Sequence, residues 1–276
     1  MQGSNDLLKR MFMETVLITG ATSGIGLLMA NLLHEKGYKV YGTSRMPEKQ
    51  QHAVPYQLLE LDVTSETSVK NCIEKLLSGS STIDVLINNA GIGICGSAEE
   101  ISIEQAYRQV ETNFWGAIKM TRAVLPIMRQ QRSGKIITIG SLGGIIGIPN
   151  QSYYSAAKHA LEGFYKSLRF EVSTFNIKIS MVEPGFFKTN LHNTFEYAKP
   201  TISDYDKLRN NALPVFSEFI EKADTPEPVA RIVLKILQSK NPGFSYRVGE
   251  NSWLAPFLQF ISYRLYEFGT KKKLKL

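Results

Sequence analysis

T-V-L-I-T-G-A-T-S-G-I-G, residues 15 to 26, is the stretch on which the fold turns. Thr15 to Thr19 is a β-branched, apolar run without polar alternation, the pattern of a strand buried on both faces of a parallel sheet. Glycines follow at 20, 24 and 26, and a helical pattern then runs from Ile25 to Lys36 with Leu28, Leu32 and Leu33 on one side. Gly37 stands where a helix C-terminal glycine belongs. A helix that starts on such a turn aims its unpaired N–H groups back over it, which makes an anion site. Gly20 permits the tight turn, and Gly24 and Gly26 let backbone and a pyrophosphate approach closely. Thr22, Ser23 and Ile25 complete the expected cradle.

Working outward, strand patterns recur at Tyr38–Thr43, Gln57–Leu61, Val85–Asn88, Lys135–Ile139 and Lys178–Val182. Helical patterns lie between them at Thr67–Leu77, Ile103–Arg129 and Ser155–Phe175. Regular alternation of the two predicts an α/β chain with one doubly wound, Rossmann-type parallel sheet and helices on both faces. After Pro184 the alternation stops. Residues 186–225 are aromatic-rich and interrupted by Pro200 and Pro214, and read as a mobile apolar substrate flap. A helix at Thr225–Ser239 and a short strand near Tyr246–Val248 finish the sheet. The expected organisation is a leader at 1–12, one domain at 13–250, and an apolar and basic extension at 251–276.

Composition bounds the function classes. Hydrophobic content of 43% with 21% charge is that of a globular chain, not a disordered one. The net charge of +7 is local, because Lys271, Lys272, Lys273 and Lys275 fall in the last six residues. A mildly basic body argues against a nucleic-acid groove. The tail itself reads as a frayed, solvated end or as a contact with anionic lipid, since Trp253, Leu254, Phe257, Leu258, Phe260, Ile261, Leu265 and Phe268 make an apolar face before the lysines. Core packing or a dimer contact explains that face equally well. Two cysteines, Cys72 and Cys95, suggest reduced buried thiols rather than a disulfide framework, and a cytoplasmic protein fits, with peripheral membrane association through the tail as the sharper reading. The four histidines show no metal-ligand spacing, so no metal is expected.

Two more motifs carry chemistry. At the end of the second strand, G-T-S-R (42–45), an enzyme using NAD should place an acid for the ribose 2′-hydroxyl, and none is present nearer than Glu48. Arg45 instead offers the forked charge that suits a 2′-phosphate, and Ser44 a hydroxyl, which favours NADP(H). Tyr154 and Lys158 are one helical turn apart and share a face. A nearby ammonium and a positive nicotinamide both favour phenolate, lowering the phenol pKa from about 10 toward the working range. Tyr153 is five residues from Lys158 and faces elsewhere.

With these pieces in order, the chain resembles the classical short-chain dehydrogenase/reductase family across residues 13 to 250. The matching pieces are T-G-A-T-S-G-I-G, Asp62-Val63, N-N-A-G at 88–91, Asn113, Ser141, Y-S-A-A-K at 154–158 and P-G-F-F-K-T at 184–189. The resemblance implies that Ser141 hydrogen-bonds the substrate oxygen, that Tyr154 exchanges its proton, and that Lys158 lowers the tyrosine pKa and binds the nicotinamide ribose. It implies that Asn113 holds a water of the proton relay and that Asp62 and Val63 meet the adenine. Asn89, Ala90 and Gly91 line the strand end, and Pro184, Gly185 and Thr189 support the carboxamide. The glycine loop lacks the basic residue that one NADP-preferring subgroup carries at 21–23.

The expected reaction is hydride exchange between NADP(H) and an alcohol or its ketone or aldehyde. The apolar segment Leu142–Ile148 and the flap favour a lipophilic, steroid-, retinoid- or fatty-like substrate. Residues 243–254 and the extended C-terminus look, more loosely, like the branch holding 17β-hydroxysteroid and retinol dehydrogenases. A 3-oxoacyl thioester reductase using Arg129, Arg132 and Arg169 toward a carrier protein is the first alternative, and a non-catalytic NADP(H) sensor the second. The long helices at 103–129 and 155–175 resemble those that pair subunits in the family, so a homodimer or homotetramer is expected.

Overall fold

The computed structural model describes residues 13–188, 195–250 and 252–276; the expected leader lies outside them. Within these residues nine strands form in chain order: β1 (Thr15–Ile18), β2 (Lys39–Ser44), β3 (Gln57–Glu60), β4 (Val85–Asn88), β5 (Ile94–Cys95), β6 (Gly134–Ile139), β7 (Ile177–Pro184), β8 (Glu196–Tyr197) and β9 (Ser245–Val248). Seven of them make one parallel sheet in the order β3-β2-β1-β4-β6-β7-β9. Val16 pairs with Val40 on one side and Val85 on the other, so β1 and β4 flank the point where strand order reverses. Ligands of such sheets sit at the carboxyl ends of the strands there.

Among the described residues nine α-helices accompany the strands: α1 (Gly24–Glu35), α2 (Glu66–Gly79), α3 (Ile103–Val110), α4 (Gly116–Gln131), α5 (Ser152–Glu171), α6 (Asp206–Lys222), α7 (Glu227–Gln238), α8 (Leu254–Ile261) and α9 (Tyr263–Lys273). The central strands send alternate residues to opposite faces, and both faces are apolar there. Leu17 packs with Leu76 of α2, Val124 and Met128 of α4 and Leu161 and Tyr165 of α5. Val16 and Ile18 pack on the other side with Met29 and Leu33 of α1 and Val229 and Val233 of α7. Leu33 is fully buried, and its truncation to alanine would cost about 2–5 kcal/mol.

Four features depart from the sequence reading. The single helix expected over Ile103–Arg129 is interrupted by a π turn at Glu111–Trp115, where Gly116 N–H reaches back to the Glu111 carbonyl. The segment after Pro184 contains a 17-residue helix, α6, that runs through Pro214. Only Ala212 of that helix is fully buried. It is tied down by charge instead: the Arg209 guanidinium donates to Glu100, a buried carboxylate that also accepts from Ile202 N–H at 2.8 Å and Ser97 N–H at 3.0 Å. In addition, β5 and β8 pair in a small parallel sheet of their own. The C-terminal extension folds as α8 and α9 rather than as a frayed end.

Candidate active site

The glycine loop takes the shape its residues require. Gly20 and Gly24 have φ of +66° and +52°, the left-handed region that disfavours other residues. A Cβ on Gly26 would lie 2.1 Å from the Gly20 carbonyl oxygen, so only glycine lets α1 begin this close to the strand end. Ser23 is the N-cap, its side chain makes no capping bond, and the first turn carries no acid. Free N–H groups and an unspent hydroxyl thus face outward, with Thr22 and Ile25 half-buried beside them.

β4 is stitched to this loop. Asn89 N–H and Ala90 N–H both donate to Thr19 Oγ1, at 2.9 and 3.0 Å, and Asn89 Nδ2 donates to the Thr19 and Gly20 carbonyls at 3.0 Å. A Cβ on Gly91 would come 3.1 Å from Asn113 Oδ1. Asn113 is buried in the π turn and its amide is spent on one residue: Oδ1 accepts from Ile92 N–H and Nδ2 donates to Ile92 carbonyl, both at 2.8 Å. Its side chain is therefore a clamp on the strand end.

At the outer end of the site Arg45 is exposed, whereas the Ser44 hydroxyl donates to Gln50 Oε1 and accepts from Met46 N–H at 3.1 Å. Of the two residues expected to meet a 2′-phosphate, Arg45 is the one left facing solvent. Asp62 accepts from the Thr64 N–H at 2.9 Å and hydroxyl at 2.7 Å. Burial opposes its ionisation, but these bonds with the Arg45 and Lys119 charges outweigh it and hold the carboxyl below its ordinary pKa. Val63 is buried where a Cβ on Gly116 would strike it at 2.7 Å.

The reactive groups meet at the ends of β6 and α5. Ser141 follows β6 and hydrogen-bonds the Tyr154 phenol. Gly143 and Gly144 let α5 press on this turn, since Cβ atoms there would lie 3.2 Å from Tyr154 Cε1 and 2.9 Å from the Lys158 carbonyl oxygen. Lys158 is buried, donates to the Ile139 carbonyl at 2.8 Å, and places Nζ 5.8 Å from the Tyr154 ring centroid. Tyr153 turns away, its hydroxyl on the Ala98 carbonyl at 3.3 Å. Pro184 ends β7, and Gly185 N–H donates to Val248 carbonyl at 2.8 Å. Thr189 lies outside the described residues.

One expectation is reversed in the protein alone. Burial pushes the Tyr154 phenol up, with Ser141 acting against it and the nearby Cys95 adding to it. Burial also lowers Lys158 to about 8. Desolvation penalises both charged forms, and at this separation the ammonium does not overcome it.

Several contributors carry no sequence motif. Gln151 is buried and hydrogen-bonds the Cys95 thiol, and burial pushes that thiol up to about 12. Glu183 of β7 meets Glu162 of α5, and the Oε1 atoms of both are buried without another partner among the described residues. Burial first, and then the Glu162 charge, push Glu183 up to about 7, against the Ser245 hydroxyl at 2.8 Å and Arg247. Both carboxyls arrive by packing, one from a helix and one from a strand. Only the one-turn spacing of Glu162 from Lys158 is visible in sequence.

A dinucleotide cradle on one side of the strand-order reversal and a Ser-Tyr-Lys group on the other define an oxidoreductase that works with a nicotinamide cofactor. Residues 14–199 match the short chain dehydrogenase family, and this chain belongs to it. It is 41% identical over 238 residues to the 3-ketodihydrosphingosine reductase of Bacteroides thetaiotaomicron, covering 86% of this chain and 88% of that one. It is 34% identical over 249 residues to retinol dehydrogenase 8 of Bos taurus, at 83% and 79% coverage. A short-chain dehydrogenase from Streptomyces avermitilis superposes with a TM-score of 0.81 at 27% identity, covering 95% of this chain and 98% of that one. Two further solved neighbours, at 25% and 27% identity, hold NADH and NADP respectively. The chain is thus a short-chain oxidoreductase acting on CH–OH groups.

Proposed function

We propose that this enzyme uses NADP(H) to interconvert a lipophilic alcohol with its ketone or aldehyde. The observation that carries the reading is the Ser141–Tyr154 hydrogen bond set beside the buried Lys158. The nicotinamide, when bound, supplies or takes the hydride at the substrate carbon, and its ring charge favours the phenolate. The glycine loop and the start of α1 would hold the pyrophosphate, and Lys158 the ribose. Ser141 orients the substrate oxygen and stabilises charge that develops there. Tyr154 donates the proton to that oxygen in reduction and removes it in oxidation.

Arg45 carries the cofactor preference, as an exposed guanidinium at the end of β2 with no acid in the position that binds a ribose 2′-hydroxyl. The substrate class rests on the apolar Leu142 and Ile146, both buried after Ser141. It also rests on relatives whose names specify a sphingoid ketone and retinol. Fluorescence titration with NADPH and NADH on wild type and Arg45→Ala tests the cofactor. We expect NADPH preferred in wild type and its affinity reduced by about 10- to 100-fold in the variant, the worth of a charged hydrogen bond. Equal NADH binding overturns that half. A panel of long-chain ketones, steroids, retinoids and acyl thioesters tests the other. Turnover confined to acyl thioesters would replace the lipophilic reading with the carrier-protein one.

We also propose that the chain self-associates through helices α3 to α5, where Ile103, Tyr107, Trp115 and Phe170 are exposed.

A further inference from the structure

The C-terminal helices are docked on the body by one face only. Tyr266 and Leu274 are buried, the Tyr266 hydroxyl donates to the Gly147 carbonyl at 2.5 Å, and Gln259 Nε2 donates to the Ile145 carbonyl at 2.9 Å. Lys273 sits 4.0 Å over the Phe219 ring of α6, and Asn211 of that helix donates to the Lys275 carbonyl at 3.1 Å. Among the described residues nothing covers the opposite face. Trp253, Leu254, Phe257, Phe260 and Ile261 are exposed along α8, Phe260 at 89%, and Leu265 and Phe268 along α9, Phe268 at 67%.

Charge decides what suits this face. From Ser252 to Leu276 the sequence has five basic residues (Arg264, Lys271, Lys272, Lys273, Lys275) and one acid, Glu267, giving 5 − 1 = +4 of the chain's +7. Glu267 pairs with Lys271 at 2.7 Å on the exposed surface, so the surplus of four rests on Arg264, Lys272, Lys273 and Lys275. At 100° per residue, Arg264, Lys271 and Lys272 flank Phe268 on the outward side of α9. Apolar side chains bordered by cations match the boundary of an anionic bilayer, where acyl chains take the rings and headgroups take the lysines. A twofold contact with a second copy would instead bring the two lysine clusters toward each other.

We propose that α8 and α9 form a docking surface for anionic lipid membranes. No described helix is long and apolar enough to cross a bilayer, so the contact lies in the plane of the interface. Because both helices rest on the segment Ile145–Gly147 that leads into Tyr154, the docked face adjoins the substrate side of the site.

Flotation of the full-length protein with phosphatidylcholine vesicles, with or without phosphatidylserine, tests this. Wild type is expected to rise with the anionic vesicles and far less with the neutral ones. Lys271→Glu and Lys272→Glu each weaken binding by roughly fivefold or more. The pair Phe260→Ser and Phe268→Ser weakens it by more than roughly tenfold. Cofactor binding in every variant reports an intact fold. Wild type that stays behind with both vesicle types overturns the proposal, as does a double phenylalanine variant that floats like wild type. A dimer that dissociates in that variant, with no vesicle binding by wild type, overturns it too and assigns the face to a second copy. Flotation reads no turnover, so its failure leaves the oxidoreductase reading intact.

Discussion

Lys158 and Tyr154 lie on one face of α5, with the Lys158 ammonium held by the Ile139 carbonyl at 2.8 Å and burial alone setting its lowered pKa. Among the described residues no carboxylate pairs with that ammonium. The phenol in turn is bound by Ser141. Tyr154→Phe removes the proton donor while leaving the glycine loop untouched. Turnover should fall by about 10²- to 10⁴-fold, the range for a lost general acid or base, with NADPH binding retained by fluorescence titration. Near-normal turnover would remove Tyr154 from the mechanism.

Gly26→Ala should disable the cofactor cradle without touching the reactive groups. The added methyl meets the Gly20 carbonyl at 2.1 Å and Asn89 Nδ2 at 2.5 Å, so strand end and helix start must separate. Overpacking of this kind costs about 1–3 kcal/mol, and thermal denaturation should show it. Cofactor-induced stabilisation should be lost in the same experiment. Its persistence at wild-type size would mean that the phosphates bind elsewhere.

Stability should fall as pH rises through the Glu183–Glu162 contact. Glu183 is raised to about 7. A carboxyl raised above its unfolded value supports the fold fully below the ordinary carboxylate range and loses that support as pH climbs through the folded pKa. The neighbouring cations, Lys166 at 3.4 Å from Glu162 and Arg247 near Glu183, temper the loss. Chemical denaturation between about pH 5 and about pH 8 should show a decline on the order of a few kcal/mol at most. In Glu183→Gln the decline should shrink, because the amide has no proton to lose. Parallel pH dependence in the two proteins would place the titrating group elsewhere.

Light scattering tests the proposed subunit face. Replacing Tyr107 and Phe170 together with serine should shift the protein toward monomer by more than about tenfold in dissociation constant, since each ring buries a large apolar area. An unchanged assembly would mean that these rings serve no contact between copies.

The sheet and the reactive groups were legible because backbone geometry dictates their residues. A turn that needs positive φ at 20 and 24, and a helix that must start against a carbonyl, leave glycine as the answer, and Tyr154 and Lys158 are one helical turn apart whatever packs around them. The π turn was not legible, because the apolar period of a helix continues through Glu111–Trp115 and only the reach from Gly116 to Glu111 reveals it. Pro214 misled, since a proline inside a helix removes one bond and α6 tolerates the loss. The pairing of Ile94–Cys95 with Glu196–Tyr197 joins two-residue strands about a hundred positions apart, too little sequence to carry a pattern. The burial that raises the phenol in the protein alone is likewise not recorded by any motif.

The strand order has a bearing on how such a chain diverges. Arg45 and the glycine loop hang from β2 and β1 on one side of the reversal, and Ser141 and Gly185 from β6 and β7 on the other, with Asn113 clamping the middle. On the proposed function, substitutions near β2 would bear on the cofactor and those beyond β7 on the substrate. The β2 set lies across the seam from Ser141, whereas the set beyond β7 lies on the same side as Ser141. Descendants can therefore trade coenzyme and substrate as separate inheritances, each change screened by selection without rebuilding the other.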